Sequence, residues 1–123
     1  MIKKPVVKDN VVEVKATLRY LRTSPYKVQR ILDQIRGRSY AEALMILMML
    51  PYRASRLVLK LLLSAIANAK NRLNLNDPTQ LIVNKTYVDQ APDFKRFRAR
   101  ARGRGYPIQK PSCHITIILE CTK

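Results

Sequence analysis

Arginine occupies every second position from residue 96 to residue 104, within the stretch KRFRARARGRGYP. In a helix, side chains two residues apart point in widely different directions, whereas in an extended strand they lie on one face. An extended chain would therefore carry five guanidinium groups on one side, with Phe97 and small residues on the other. Because such closely spaced charges repel one another, the pattern predicts that an anionic partner lies against this segment.

The charge of the whole chain agrees with this prediction. The 123 residues include 24 Lys and Arg but only 8 Asp and Glu, which gives a formal net charge of +16. An excess of this size destabilises a compact fold by self-repulsion, and a polyanion relieves it. We therefore expect a nucleic-acid partner, and an anionic membrane surface and duplex DNA are the alternatives to RNA. The hydrophobic fraction of 47% is sufficient for the core of one domain over residues 1–123.

The first third of the chain predicts a strand followed by a helix. Residues 11–21, VVEVKATLRYL, are rich in β-branched side chains and favour a strand. Ser24 is suited to the N-cap of a helix and Pro25 to its first position, where the missing N–H is not needed. Apolar residues then recur with helical spacing as far as Ile35, and Gly37 marks the end of the helix.

Two further helices are predicted before the pattern changes. Ser39 and Glu42 have the spacing of a capping box, which begins a short and almost wholly apolar helix over residues 40–50. Pro51 separates it from a longer helix over residues 52–73. Three methionines of the short helix lie among leucines at helical spacing, and we predict that they fill the core: Met45, Met48 and Met49.

Beyond these helices the apolar pattern takes the period of a strand. Residues 81–89 and residues 114–120 are both predicted to be strands. The 24 residues between them, 90–113, contain the arginine pattern and are too many for a structureless loop in a small domain. We therefore predict one long hairpin that is paired at its base and turns near residues 99–105.

The predicted fold class is α+β. A small three-stranded antiparallel sheet packs against three helices, and a long β-hairpin, here called the finger, projects from the sheet. We place the finger at about residues 91–111 and the globular part at about residues 11–90 and 112–121. The finger has almost no apolar side chains to bury, so it requires a surrounding partner to stay ordered.

No residues suggest catalysis, a cofactor or a metal site. The acidic residues are scattered, without a pair at helical spacing for acid–base chemistry. His114 is the only histidine, and we interpret it as a hydrogen-bonded residue at the edge of a strand rather than as a ligand or a base. Cys113 and Cys121 on one strand would lie about 26 Å apart at ~3.3 Å per residue, which is too far for a disulfide. The sequence therefore argues against an enzyme with a small-molecule substrate.

Three features bear on the compartment. Two unpaired thiols are typical of a reducing environment. The most apolar stretches, ALMILMML and RLVLKLLLSAIANA, are too short or too charged to span a bilayer. The N-terminal residues MIKKPVVKDN lack both the apolar core of a secretion signal and the serine-rich character of a transit peptide. We therefore expect a soluble protein.

Several segments, in order and at matching spacing, resemble a known family. Lys95, RARGR at residues 100–104 and HITIIL at residues 114–119 are similar to the signature of the large-subunit ribosomal protein twenty-two family. SPYKVQRILDQIRGR at residues 24–38 is similar to the first helix of that family, and SAIANA at residues 64–69 to its long helix. The phrases DQIRGRSYAEALMIL and GYPIQKPSCHITIILE most resemble plastid members.

The resemblance implies a structural protein of the large ribosomal subunit. Its globular part would lie at the ribosome surface, and its hairpin would pass through the large-subunit rRNA of the 23S type to the wall of the nascent-peptide exit tunnel. The implied partners are this rRNA, neighbouring large-subunit proteins and the nascent peptide near the hairpin tip, with no membrane. The implied location is the chloroplast stroma, and a bacterial cytoplasm is the alternative.

Candidate binding residues fall into three groups. Arginine forks on the finger are suited to successive phosphates, and Phe97 and Tyr106 to stacking on unpaired bases. The rRNA-binding residues predicted for the hairpin are Lys95, Arg96, Arg98, Arg100, Arg102, Arg104, Lys110 and His114. Those that the resemblance implies around the first helix are Arg22, Ser24, Lys27, Arg30, Arg36 and Arg38. The tunnel-facing tip that it implies comprises Ala99, Arg100, Ala101, Arg102 and Gly103.

Overall fold

Three strands and three helices make up the part of the chain that the structure, a computed structural model, describes, residues 11–74 and 80–122. In chain order these elements are β1 (Val11–Leu21), α1 (Pro25–Ile35), α2 (Tyr40–Met49), α3 (Arg53–Leu73), β2 (Leu81–Ala99) and β3 (Gly105–Thr122). β3 is the middle strand and pairs antiparallel with β1 on one side and β2 on the other. The helices pack against this sheet, which confirms the predicted α+β fold class.

Helix α1 forms as the sequence predicts, with one buried stripe. Its four aliphatic residues have helical spacing and all of them are buried: Val28, Ile31, Leu32 and Ile35. Ser24 is the N-cap residue and Pro25 takes the first helical position, although the Ser24 hydroxyl accepts no hydrogen bond from the first turn. The helix itself cannot bond the N–H groups of that turn, so they remain donors toward whatever lies in front of them.

The end of α1 is fixed to β2 through a glycine in the left-handed conformation. Gly37 has a φ of +80°, which residues with a Cβ rarely adopt. Its N–H donates to the Val83 carbonyl at 2.8 Å, and the Val83 N–H donates to the Arg38 carbonyl at 2.9 Å. The predicted helix end is confirmed, and these two bonds hold α1 against the edge of the sheet.

The other two helices begin and end close to the predicted positions. The Ser39 hydroxyl accepts a hydrogen bond from the Glu42 N–H at 3.5 Å, as the capping box requires. Helix α3 has Tyr52 as its N-cap and begins one residue later than predicted. It ends at Leu73, and its C-cap residue Asn74 has a φ of +52°, in the left-handed region that asparagine tolerates. The rest of the predicted break, residues 75–79, lies outside the described residues.

Only one side of α2 is covered by the rest of the protein. Ala43 and Leu47 are buried on that side. The three methionines are on the surface, with exposed fractions of 62% for Met45, 74% for Met48 and 81% for Met49. The prediction that they fill the core is wrong, because a helix that is apolar all round does not reveal in its sequence which side will be covered.

The central strand supplies one wall of the core. Alternate residues of β3 are fully buried: Cys113, Ile115, Ile117, Leu119 and Cys121. Both cysteines lie on this one strand and neither forms a disulfide, as predicted. Burial raises the pKa of the Cys113 thiol, so this thiol stays protonated and is a poor nucleophile at neutral pH.

β2 and β3 continue past the sheet as the predicted hairpin. Both are longer than the predicted strands, and their pairing runs from Leu81 opposite Cys121 to Ala99 opposite Gly105. Every side chain between residues 95 and 111 is exposed. The outer part of the finger is therefore held mainly by strand pairing, without a hydrophobic core of its own.

The hairpin reverses in a turn that lies inside the predicted range of residues 99–105. The Arg100 N–H donates to the Arg104 carbonyl at 2.8 Å, and the residues between them form a single 3-10 turn. Arg102 and Gly103 both have positive φ angles, 64° and 71°. Two successive left-handed residues allow the chain to reverse without interrupting the pairing of its arms.

The predicted arginine face is correct only for its first two members. Arg96 and Arg98 lie in β2, where alternation places both side chains on the same face. The other three arginines belong to the turn and do not continue that face. The chain has to reverse there so that β3 can return to pair with β2, and the prediction of five arginines on one extended face is therefore wrong.

We expect the free protein to show two levels of amide protection in hydrogen exchange followed by mass spectrometry. Residues 113–121 border the core and should exchange slowly, whereas residues 95–110 should exchange rapidly, because repulsion between cations opposes pairing of the arms. Added RNA should slow exchange in residues 95–110. Strong protection of this segment without RNA would contradict the view that the finger depends on a partner for its order.

Replacing Gly37 with alanine should destabilise the protein through backbone strain alone. A Cβ at this position meets no atom within 4 Å, but the φ of +80° is unfavourable for it. We expect the free energy of unfolding in urea to fall by about 1 kcal/mol. Gly103→Ala is the matched control, with a φ of +71° and equally open surroundings, but no core packing depends on the finger tip. An equal loss in both variants would contradict this assignment of stability to the helices and the sheet.

Candidate nucleic-acid interface

A groove of about 1080 Å³ opens where α1, α3, the end of β1 and the base of the finger meet. No described Asp or Glu lines this basic groove. The cations that line it come from all four elements: Arg19, Arg22, Lys27, Arg30, Arg53, Arg96 and Lys110. Cations that line a cleft concentrate positive potential inside it, so the groove is a surface that attracts anions.

The N-terminal ends of α1 and α3 both border the basic groove. Ser24 and Lys27 from the first helix and Tyr52 and Arg53 from the third line it. Neither helix has an acidic residue in its first turn, and neither N-cap side chain bonds that turn. Helix α2, whose first turn does not line the groove, has both a capping side chain and the acidic Glu42. The two positive helix ends at the groove are therefore left to an external anion.

Two cation–π contacts fix guanidinium groups at the groove. The Arg22 guanidinium lies 5.1 Å from the centre of the Phe94 ring, and the Arg30 guanidinium lies 5.7 Å from the centre of the Tyr52 ring. Such contacts hold a flexible arginine in place while leaving its N–H groups for an anion. The first contact also joins the end of β1 to the base of the finger.

A β-bulge brings two residues of β1 into the groove. Leu18 pairs with Ile115 but Leu21 pairs with Cys113, so the two residues between the leucines face a single residue of β3. One of the two is Tyr20, whose φ of +57° is unusual for an aromatic residue. Arg19 and Tyr20 both line the groove as a result.

His114 is the residue opposite this bulge. Its Nδ1 accepts a hydrogen bond from the Tyr20 N–H at 3.0 Å, and the two rings meet edge to face with centres 4.7 Å apart. The predicted hydrogen bond is confirmed, but the predicted position at a strand edge is wrong, because β3 is the central strand. His114 does not line the groove, so the structure gives it a role in holding the bulge.

The groove brings together six of the predicted binding residues, four from the first-helix region and two from the finger: Arg22, Ser24, Lys27, Arg30, Arg96 and Lys110. Arg36 and Arg38 lie outside it. The Arg36 guanidinium donates to Asp33 at 3.0 Å and to the Thr86 carbonyl at 2.9 Å, and Arg38 donates to the Gln34 carbonyl at 2.8 Å. The Arg36 side chain therefore joins α1 to β2, whereas the Arg38 side chain satisfies a carbonyl in the last turn of α1.

The finger has two unlike faces, because directly opposed residues of an antiparallel pair lie on the same side. One side, here called the cationic face, carries Arg96, Arg98, Tyr106, Ile108 and Lys110. It begins in the basic groove and leads to the turn, where the Arg100 guanidinium lies 5.7 Å from the Tyr106 ring centre. The opposite side carries Lys95, Phe97, Pro107 and Gln109. The two rings predicted to stack on bases, Phe97 and Tyr106, are thus on opposite sides of the finger.

The tip has its own concavity of about 530 Å³, formed almost wholly by predicted residues. Its lining consists of Arg100, Ala101, Arg102, Arg104 and Tyr106. The concavity is fully open to solvent, since each of these side chains is exposed. The tip therefore has three cations around a shallow surface, without the apolar floor that the basic groove has.

Sequence reasoning missed two cations of the groove. Arg53 begins α3, and the absence of any acid from the first turn of that helix is a signal that would have singled it out. Arg19 has no such signal, because it enters the groove only through the bulge before Leu21. Both are far in sequence from the finger residues that line the same groove.

The chemistry of the described residues is that of binding. Within residues 11–74 and 80–122, no three His, Cys, Asp or Glu side chains lie close enough together to hold a metal ion. In the same two ranges, none of the helices has the length and apolar character that crossing a bilayer requires. What the groove offers is cations, backbone N–H groups and aromatic rings, a set suited to phosphates and planar bases.

Comparisons with known proteins identify one family. Ribosomal protein L22p/L17e matches residues 16–120 of the chain. The chain is 58% identical over 109 residues to large ribosomal subunit protein uL22 of Crocosphaera subtropica. The aligned region covers 89% of this chain and 90% of the relative. It is 58% identical over 116 residues to uL22c of Chlorokybus atmophyticus, with 94% and 96% coverage. It is 57% identical over 105 residues to uL22c of Cyanophora paradoxa, with 85% and 91% coverage.

The substitution Lys27→Glu should stabilise the free protein and weaken its binding to RNA. Ser24 and a glutamate three residues later complete a capping box, which should raise the free energy of unfolding by about 0.5–1 kcal/mol. The same carboxylate lies in the groove and should lower RNA affinity on the order of tenfold. Thermal unfolding and a filter-binding assay measure the two effects.

Lys60→Glu is the matched control for this substitution. It makes the same change of charge on α3, on an exposed residue outside the groove. A charge removed from the contact is screened by salt, so we expect a loss of affinity below about twofold. An equal loss in both variants would show that binding follows net charge rather than the groove.

Proposed function

Because this chain belongs to the ribosomal protein L22p/L17e family, we propose that it binds large-subunit rRNA through the basic groove and the cationic face of the finger. It is a structural, non-enzymatic constituent of the ribosome, and its relatives are named as proteins of the large subunit. The observation that carries the proposal is the composition of the groove, which unites cations from four elements and has no described acidic residue.

The contacts that we propose are mainly to phosphates. Guanidinium forks and helix N-termini recognise the backbone of a nucleic acid rather than the edges of its bases. Such contacts fix the position and orientation of the protein on folded RNA, and they support assembly by neutralising segments that would otherwise repel one another. The proposed role is to hold neighbouring rRNA segments together rather than to read a sequence.

We propose that the finger passes between rRNA segments and reaches the wall of the exit tunnel. From Ala91 to Ala99 one arm has a length of about 26 Å at ~3.3 Å per residue. The exposure of every side chain from residue 95 to residue 111 supports this, because these residues have no core and need surroundings to hold them. The proposed partners of the tip are the nascent peptide and neighbouring large-subunit proteins.

We propose the chloroplast stroma, on the plastid ribosome, as the location. The uL22c names of two relatives and the similarity of GYPIQKPSCHITIILE to plastid members support this assignment. A bacterial cytoplasm is the alternative, supported by the relative from Crocosphaera subtropica. In either case the chain is located on the ribosome.

Two variants with the same loss of charge separate the groove from the tip. The first carries Arg22→Gln, Lys27→Gln and Arg30→Gln, and the second carries Arg100→Gln, Arg102→Gln and Arg104→Gln. The groove variant should bind purified large-subunit rRNA on the order of 100-fold more weakly, and the slope of log K against log salt should fall by about two to three. The tip variant should enter large subunits normally and alter peptide-dependent stalling in the tunnel.

The same titration is run with duplex DNA and with anionic vesicles in place of rRNA. Preference for vesicles, or equal affinity for any duplex, would overturn the proposed function. If the tip variant fails to enter large subunits and the groove variant enters them, the division of roles between groove and tip is wrong. Circular dichroism of both variants establishes that the globular part is folded.

A further inference from the structure

We infer that the basic groove accepts an unpaired nucleotide of the RNA, with its base against the groove floor and its phosphates at the cationic rim. The inference rests on the proposed rRNA-binding function and names the kind of RNA that this site takes. It concerns the groove between the helices and β1, not the exposed rings of the finger.

The floor of the groove is apolar, which phosphate contacts alone do not explain. It is formed by Leu18, Leu21, Ile31, Ala54 and Leu57. Leu18, Leu21 and Leu57 are only half-buried and remain accessible from the groove. An anion gains nothing from such a surface, whereas the face of a nucleobase is planar and largely apolar and gains by covering it.

Three aromatic rings also line the groove. Tyr20 and Tyr52 are exposed by 62% and 40%, and Phe94 is half-buried. The rings of Tyr52 and Phe94 each carry a guanidinium on one face, from Arg30 and Arg22. A guanidinium plane that is already held by a ring is a surface on which a base can stack. Stacking surfaces of this kind are typical of sites for single-stranded nucleic acid.

The groove is large enough for a nucleotide, and its floor can be reached only by an unpaired base. Its volume of about 1080 Å³ is close to the upper end of small-molecule pockets, about 300–1,000 Å³. This is room for one or two nucleotides. A double helix presents phosphates and sugars on its outside and keeps its base faces stacked inside, so it can reach the rim but not the floor.

The two uncapped helix ends at the groove provide sites for phosphates on either side of such a nucleotide. The N-termini of α1 and α3 border the groove from two different elements, and neither has a capping side chain or an acid in its first turn. One phosphate at each end would leave the base between them over the floor. The charged rim and the apolar floor are thus both used by the same ligand.

The test uses the full chain and three fluorescein-labelled probes of stated chemistry. They are an adenosine RNA octamer, the same octamer with two abasic riboses at its centre, and a paired RNA duplex of the same length. Fluorescence anisotropy at constant salt should give affinity for the intact octamer about fivefold or more above that for the abasic octamer. The duplex should bind no better than the abasic octamer.

Two tyrosine variants locate the effect. Tyr52→Ala removes a ring of the groove without changing charge, and it should reduce the difference between intact and abasic octamers to about twofold or less. Tyr26→Ala removes an exposed ring of α1 that does not line the groove, and it should leave the difference unchanged. After photocrosslinking to an octamer that contains 4-thiouridine and digestion of the protein, the labelled peptides should be those that contain Tyr52 or Phe94.

Three results would overturn the inference. They are equal affinity of the unmodified protein for intact and abasic octamers, an equal effect of the two tyrosine variants, and crosslinks confined to finger residues 95–110. None of them bears on the salt titration with large-subunit rRNA, so this inference can fail while the proposed function stands. Failure of the unmodified protein to bind large-subunit rRNA in that titration would instead contradict the proposed function.

Discussion

The pairing of β3 with both of its neighbours is the interaction on which the rest of the molecule depends. Alternate residues of the inner half of β3, from Cys113 to Cys121, line the core, and its outer half, from Gly105, forms one arm of the finger. The finger is therefore continuous with the strand that the helices pack against. Because Arg22 also contacts Phe94 at its base, the direction of the finger is set by the globular part.

The basic side chains have different roles in different parts of the fold. Arg36 and Arg38 bond to the protein itself: they donate to the Thr86 and Gln34 carbonyls and form ion pairs with Asp33 and Glu42. The groove has cations from four elements and no described acid. The start of α1 lacks the acidic residue that would stabilise it, so the sequence gives up helix stability there in favour of attraction for an external anion.

Sequence patterns predict those structural features that depend on interactions between nearby residues. The stripe of α1, the Ser39 cap and the reversal near Gly103 all depend on residues a few positions apart, and their signals are in the sequence. Which side of α2 is exposed depends on the layers that pack against it, and the apolar sequence of this helix does not reveal them. The prediction of buried methionines is wrong for this reason. The groove depends on segments that are far apart in sequence and on a bulge at Tyr20, for which the strand pattern of β1 has no signal.

The place of β3 in the sheet also sets an order of folding during synthesis. β1 and β2 do not pair with each other, and each has β3 as its partner, as far apart in sequence as Val11 and Thr122. The sheet can close only after residues 113–122 have left the ribosome that makes them. Until then the apolar sides of the helices lack the wall of the core that β3 supplies, and closing a loop of that length is slow. A newly made chain that still lacks β3 therefore combines a high positive charge with uncovered apolar surface, which favours aggregation before the chain reaches its RNA.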